Sequence, residues 1–211
     1  MQELTTTEFA LLVDACAKVP PAKNDYRIHD FVENLLLTVV DFQMQTTAVE
    51  RAHSHFKENV QIDASDLVGL KTVLERYPDN KEGNIELALC LWGYRLWTRA
   101  GMLRRLVEFF EAQGVTDQSS LSEWAFRADF KKDFEGKVKG LGYAIFNWLV
   151  MRQGVETIKP DVHTLRFVEN TIGWSVKDTV AVEALIRVAK ELGIPAFKLD
   201  WAIWEQGRAK K

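Results

Sequence analysis

Cysteine is scarce in this chain of 211 residues, with only Cys16 and Cys90, both in apolar helical settings. Two thiols make neither a disulfide framework nor a four-thiolate metal site, and they suit a reducing compartment. Long apolar runs are missing too. The longest, Leu35–Val40 and Leu87–Trp92, fall far short of the roughly 20 residues that a bilayer span requires. Met1–Glu8 is polar and acidic, so no secretory leader is expected, and a cytoplasmic setting follows (nucleoid-associated if bacterial). No segment alternates apolar and polar residues as a strand would. Walker loops, dinucleotide fingerprints and Gly-x-Ser-x-Gly elbows are absent, which argues against the enzymes built on them. Net charge is −3, against a protein that coats nucleic acid indiscriminately.

What the chain has is apolar and aromatic mass: 47% hydrophobic residues, 11% aromatics and seven Trp, ample for a buried core. Nearly every segment carries a 3.6-residue apolar period. The spacing predicts helices over 5–18, 27–40, 46–57, 65–77, 81–92, 98–113, 119–128, 131–137, 143–152, 160–170, 177–192 and 195–206. Prolines and glycines punctuate them, and Pro160 and Pro195 fit a first helical turn. The fold expected is all-α, in two helical lobes with a cleft between them as the default ligand site. One lobe would be a central bundle over 29–137. The other would join 1–28 to 138–211 and carry a glycine hairpin at 136–153.

Charge is distributed unevenly. Arg95, Arg99, Arg104 and Arg105 lie in an acid-free stretch, and Arg127, Lys131, Lys132, Lys137 and Lys139 follow. A local basic face supplies non-specific phosphate affinity, although solvated helix faces look the same in a sequence. Within Gly136–Val168, Gly140-Leu141-Gly142 opens an apolar helix. Glycines there expose amide N–H groups at a helix start, where an anion is favoured; Lys139 could touch the same phosphate backbone. An ordinary helix–helix turn also favours glycine. Asp161 follows a proline about 20 residues later, as an acid does at a helix start, with His163 and Arg166 after it.

Lys139-Gly140-Leu141-Gly142-Tyr143, Asp161-Val162-His163 and Leu165-Arg166-Phe167-Val168 together resemble the helix-hairpin-helix DNA glycosylase superfamily, endonuclease III-like members included. Those proteins pair a Gly-hydrophobic-Gly hairpin with a downstream acid, commonly followed two residues later by His. Phe31–Val49 is similar to the family's segment in which a Gln probes the duplex, with Gln43 at that place. Gly93–Leu103 resembles its glycine-led turn, and Leu199–Arg208 the end of some members. The resemblance runs in order from about Asp30 to Phe167. It implies that Gly140 and Gly142 present backbone groups to phosphate, with room for a monovalent cation at the hairpin carbonyls. It implies that Asp161 is the catalytic carboxylate and that Gln43 fills the gap left by an extruded nucleotide. Double-stranded DNA would be the partner.

The departures from the family pattern carry information of their own. Members that also cut the strand have Lys two residues after the second hairpin glycine; here Ala144 stands there and cannot form a Schiff base. Many members hold an iron–sulfur cluster on four C-terminal cysteines, which this chain lacks, so no cluster is expected. The reading is a monofunctional DNA base-excision glycosylase without strand cleavage, acting on a damaged purine by preference, as a monomer off the membrane. Arg99 and Lys139 would steer DNA. Tyr143, Trp97 and Phe42, with Trp92 and Trp124, are candidates to stack on an extruded base, against core packing as the ordinary role. No metal site is expected: Glu50 and His53 share a helical face, but further ligands are missing. The alternative is a catalytically silent helix-hairpin-helix DNA-binding protein, and an all-α adaptor stands third.

Overall fold

Short helices are marginal alone, so each must satisfy its ends and bury one face. The computed structural model, which describes residues 3–22, 27–41, 44–62 and 64–209, meets that demand with helices only. Among the described residues they are α1 (Thr6–Ala17), α2 (Phe31–Val40), α3 (Thr46–Asn59), α4 (Leu67–Glu75), α5 (Lys81–Trp92), α6 (Trp97–Ala112), α7 (Gln118–Arg127), a π-helical turn at Phe130–Phe134, α8 (Tyr143–Arg152), α9 (Val162–Ile172), α10 (Asp178–Glu191) and α11 (Ala196–Ala209). The protein is all-α, as its periodicity requires. None of these helices is long and apolar enough to cross a membrane.

The caps explain the boundaries. Thr5 and Glu8 form a reciprocal capping box at α1. Asp30, Asp66 and Asn80 accept the third-residue amides of α2, α4 and α5. Helix α2 therefore starts at Phe31, four residues later than its apolar pattern suggests, because Asp30 takes the Glu33 N–H at 2.8 Å. Helix α9 also starts later than expected. Pro160 lies outside it, and Asp161 is the N-cap in an extended conformation.

Contacts divide the chain into two units, 28–149 and 1–27 with 150–211. The central unit is organised around aromatic rings. Trp124 of α7 meets Phe110 of α6 edge-on at 5.0 Å and Phe146 of α8 at 6.1 Å. Phe134 of the π-helical turn lies 5.5 Å from both Phe109 and Phe146. These contacts tie the start of α8 to α6 and α7, so the glycine turn, expected with the termini, belongs to the central unit. Arg104 braces the same unit from within. Its guanidinium donates to Leu74 O at 3.1 Å, Tyr77 O at 2.7 Å and Asn84 Oδ1 at 2.9 Å. It thereby satisfies carbonyls at the end of α4 and leaves the basic face on which the sequence had placed it.

The terminal unit packs α1, α9, α10 and α11 over Leu12, Val168, Leu185, Val188, Leu199 and Ile203. Trp174 Nε1 donates to Glu8 Oε1 at 2.7 Å, fastening the loop after α9 to the start of α1. Arg187 of α10 stacks over Phe9 at 4.5 Å. The Cys16 thiol is buried here and burial pushes its pKa up to about 12, so it is an inert part of the core.

If the ring cluster carries the central unit, Trp124→Ala should lower stability by about 3–5 kcal/mol. Phe126→Ala two residues further along α7, at a residue 65% exposed, should change it by less than about 0.5 kcal/mol. Urea unfolding measures both, and equal effects would rule out the cluster as the organiser.

Candidate functional site

In the central unit the turn before α8 is built by Gly140 and Gly142. Gly140 has φ +94°, a conformation that side chains rarely adopt. A Cβ there would also lie 2.5 Å from Met102 Cε of α6. Leu141 points inward, buried, and its N–H donates to Val138 O at 3.1 Å. Gly142 is exposed, faces open space and accepts the Ile145 and Phe146 amides at the start of α8. A ten-residue helix thus begins directly behind a solvent-facing glycine. A helix start of this kind favours an anion. Lys139 is exposed on the near side of the turn.

Other residues of the central unit take mixed roles. Tyr143 is half-buried with its ring edge-on to Phe130 at 5.1 Å. Trp97, at the start of α6, is 42% exposed, with the Lys81 ammonium over its ring at 5.8 Å. Arg99 is half-buried, and desolvation pulls its pKa down. Trp92 and Trp124 are core residues, 1% and 2% exposed, and do not present a ring for stacking. Gln43 and Phe42 lie outside the described residues. His53 pairs with Glu33 at 3.2 Å, and Lys57 approaches the same carboxylate at 3.3 Å. That is an ion-pair cluster between α2 and α3, with Glu33 in the place the sequence suggested for Glu50. Among the described residues no three His, Cys, Asp or Glu side chains converge as metal ligands would.

In the terminal unit Asp161 is half-buried, and its Oδ1 accepts two amides, His163 N–H at 2.8 Å and Thr164 N–H at 3.0 Å. Its own N–H donates to Lys159 O at 2.8 Å, so the Lys159–Asp161 segment turns tightly around Pro160. His163 packs on α11, where a Cβ at Gly207 would meet its Nδ1 at 2.6 Å. His163 and Arg166 line a groove of about 600 Å³ among α1, α9 and α11, with Lys18, Phe167 and Gln206.

One residue escaped the sequence reading. Asp200 on α11 is 4% exposed, and its Oδ1 accepts the Lys159 N–H at 2.8 Å. Burial, and then the charge of Asp161, push its pKa up to about 8 against the pull of Lys159. A signal was present. Ala196, Leu199, Asp200 and Ile203 keep the i, i+3, i+4, i+7 spacing of a buried stripe, with an acid inside it.

The site residues therefore divide between the two units: Lys139–Tyr143, Trp97 and Arg99 belong to the central one, and Asp161, Asp200 and His163 to the terminal one. This is an all-α protein with a glycine-led helix start and a helix-capping acid. Residues 96–208 match the family described as a domain of unknown function, DUF8548, which is more than half of the chain, and the protein belongs to that family. No curated protein and no solved structure matches it.

Two stability measurements follow from this geometry. Gly140→Ala should cost about 1–2 kcal/mol, since only a glycine holds that φ without strain. Gly142→Ala should cost less than about 1 kcal/mol, as a helix-cap replacement in open space. Comparable losses in urea unfolding would contradict the difference between the two glycines. The second measurement concerns Asp200. Between pH 4 and about 8 the unfolded chain ionises this carboxyl while the folded chain keeps its proton. Its contribution to stability is complete below pH 4 and is lost progressively up to pH 8. Asp200→Asn does not titrate, so its melting temperature should gain on the wild type across that window and then run parallel. A gap that stays constant from pH 4 to 8 would show that Asp200 is ionised in the folded protein.

Proposed function

We propose that this protein is a monofunctional DNA base-excision glycosylase that hydrolyses the bond between a damaged base, preferably a purine, and its sugar. The observation that carries the reading is the local geometry of Asp161. One carboxylate oxygen, Oδ1, takes both helix amides, so the group is held in a single orientation while Oδ2 takes neither amide. A fixed negative oxygen is what the reaction needs. As the C1′–N bond lengthens, its electron pair leaves with the base and positive charge grows on the sugar. A carboxylate stabilises that charge, and water then adds to C1′, its proton taken by the carboxylate and passed on to the released base. The resemblance of Lys139–Tyr143 and Asp161–His163 to helix-hairpin-helix glycosylases supports the same reading.

The remaining roles follow from chemistry. A base inside a duplex is out of reach, so the nucleotide must be extruded at a cost of a few kcal/mol. Gly140 and Gly142 would hold the phosphate backbone, with a monovalent cation at the turn carbonyls as an added bridge. Lys139 and Arg99 would add charge attraction, Gln43 would fill the vacated stack, and Tyr143, Trp97 or Phe42 would face the extruded base. Ala144 offers no amine, so the product would be an abasic site in an uncut strand. The protein would act as a monomer on double-stranded DNA inside the cell.

A second reading is a helix-hairpin-helix protein that binds DNA without catalysis. What favours it is that N-capping α9 is a sufficient structural reason for Asp161. Asp161→Asn separates the two, because Asn caps as well as Asp does. On a panel of duplexes carrying alkylated, oxidised or deaminated bases, treated afterwards with mild alkali, the wild type should open at least one. Asp161→Asn should lose on the order of 10²-fold or more in rate with binding and folding retained. Salt-dependent duplex binding with no opened lesion supports the silent binder. No duplex binding at low salt rejects both.

A further inference from the structure

Asp200 is a carboxyl to which the reading above gives no task. Acids are almost never fully buried without a partner, and here the partner is a backbone amide. Asp200 Oδ1 holds the Lys159 N–H at 2.8 Å, and Lys159 O holds the Asp161 N–H at 2.8 Å. Two consecutive hydrogen bonds thus run from the floor of the terminal unit, through Lys159, to the backbone of the residue that caps α9. Pro160 between them restricts the rotation of the segment. Its neighbour Ile158 is fully buried, which anchors the other side. The position of the Asp161 carboxylate is therefore determined from two directions: from α9 by the amides it caps, and from α11 by Asp200.

We propose that Asp200 is a positioning residue for Asp161, fixing through Lys159 where that carboxylate stands. The assignment of a rate to this effect rests on the glycosylase reading; the mechanical link does not. Two charged groups act on Asp200, Asp161 at the start of α9 and Lys159 in the segment before it. A neutral acid at this place offers one accepting oxygen and one donating O–H, and asparagine reproduces that pair with its carbonyl and amide. Valine has similar bulk and no acceptor. The three side chains therefore separate an acceptor requirement from a charge requirement and from packing.

The experiment uses the full chain, isotope-labelled, with the Asp161 carboxyl resonance assigned by Asp161→Asn. In the wild type the Lys159 amide and the Asp161 carboxyl should both show an inflection near pH 8, where Asp200 ionises. Asp200→Asn should remove it from both. Asp200→Val should speed hydrogen exchange of the Lys159 amide by about 10-fold or more. On a duplex that the wild type opens, it should slow the single-turnover rate by about 10-fold or more, with duplex affinity within about 2-fold. Asp200→Asn should restore both to within about 3-fold of the wild type. Unchanged Lys159 exchange in the valine variant, or an asparagine variant no better than valine, overturns the proposal. Where valine prevents folding, the wild-type titration decides: no inflection at the Lys159 amide or the Asp161 carboxyl at the pH where the Asp200 carboxyl itself titrates overturns it. A wild type that opens no lesion removes the glycosylase reading, while the exchange and titration results still decide the positioning role.

Discussion

Every α-helix among the described residues is short, from nine to sixteen residues, and each begins with amides that have no partner inside the helix. Satisfying those amides is the constraint on which the rest depends. The chain meets it repeatedly with a side chain just ahead of the helix: Thr5, Asp30, Asp66, Asn80, Asp117 and Asp161. Each such cap contributes about 1 kcal/mol and fixes the direction from which the chain enters the helix. Arg104 does the equivalent at a helix end, with its long cation on the carbonyls of Leu74 in the last turn of α4 and Tyr77 just after it. Where termini are satisfied in this way, apolar faces can be buried without leaving backbone groups unpaired.

The same constraint generates the candidate site. Asp161 is the N-cap of α9 by the same geometry that makes Asp66 the N-cap of α4, and its backbone conformation is likewise extended. What distinguishes it is its surroundings. Asp66 is joined to its helix alone, whereas Asp161 is also bonded through Lys159 to a buried acid on α11. A second layer of hydrogen bonding behind a capping residue goes beyond what the cap requires. It limits the freedom of one carboxylate, which is the preorganisation that electrostatic catalysis draws on.

Much of this was legible in the residues, and the exceptions have physical causes. Helices α5 and α8 begin and end where the pattern places them, because Asn80, Gly93, Gly142 and Gly154 mark their ends chemically. Residues 27–30 read as helix because Ile28 continues the apolar period, yet the Asp30 side chain takes an amide that a longer helix would have claimed. Pro160 reads as a first-turn proline, but Asp161 next to it is the better cap and shifts the start by two residues. Arg104 reads as surface charge because a sequence cannot show which carbonyls a guanidinium will reach. Asp200 is the instructive miss. An acid in the middle of an apolar stripe is a local contradiction, and such contradictions concentrate where a fold gives up stability for placement.

That cost bears on whether Asp161 and Asp200 serve structure alone. A capping aspartate needs no support from behind, since serine, threonine and asparagine cap comparably at other helices. A buried acid is a poor device for holding a loop if holding is all that is required. Asparagine in the same place would accept the Lys159 amide without desolvating a charge or raising a pKa to about 8. Stability alone would favour the amide. The acid next to Asp161 becomes intelligible when the two carboxyls are considered together. One is held neutral in the interior, the other partly open to solvent with an oxygen outside the cap, and a single backbone segment links them. In the terminal unit a buried carboxyl thus stands behind a capping one, which is more than the cap of α9 alone requires.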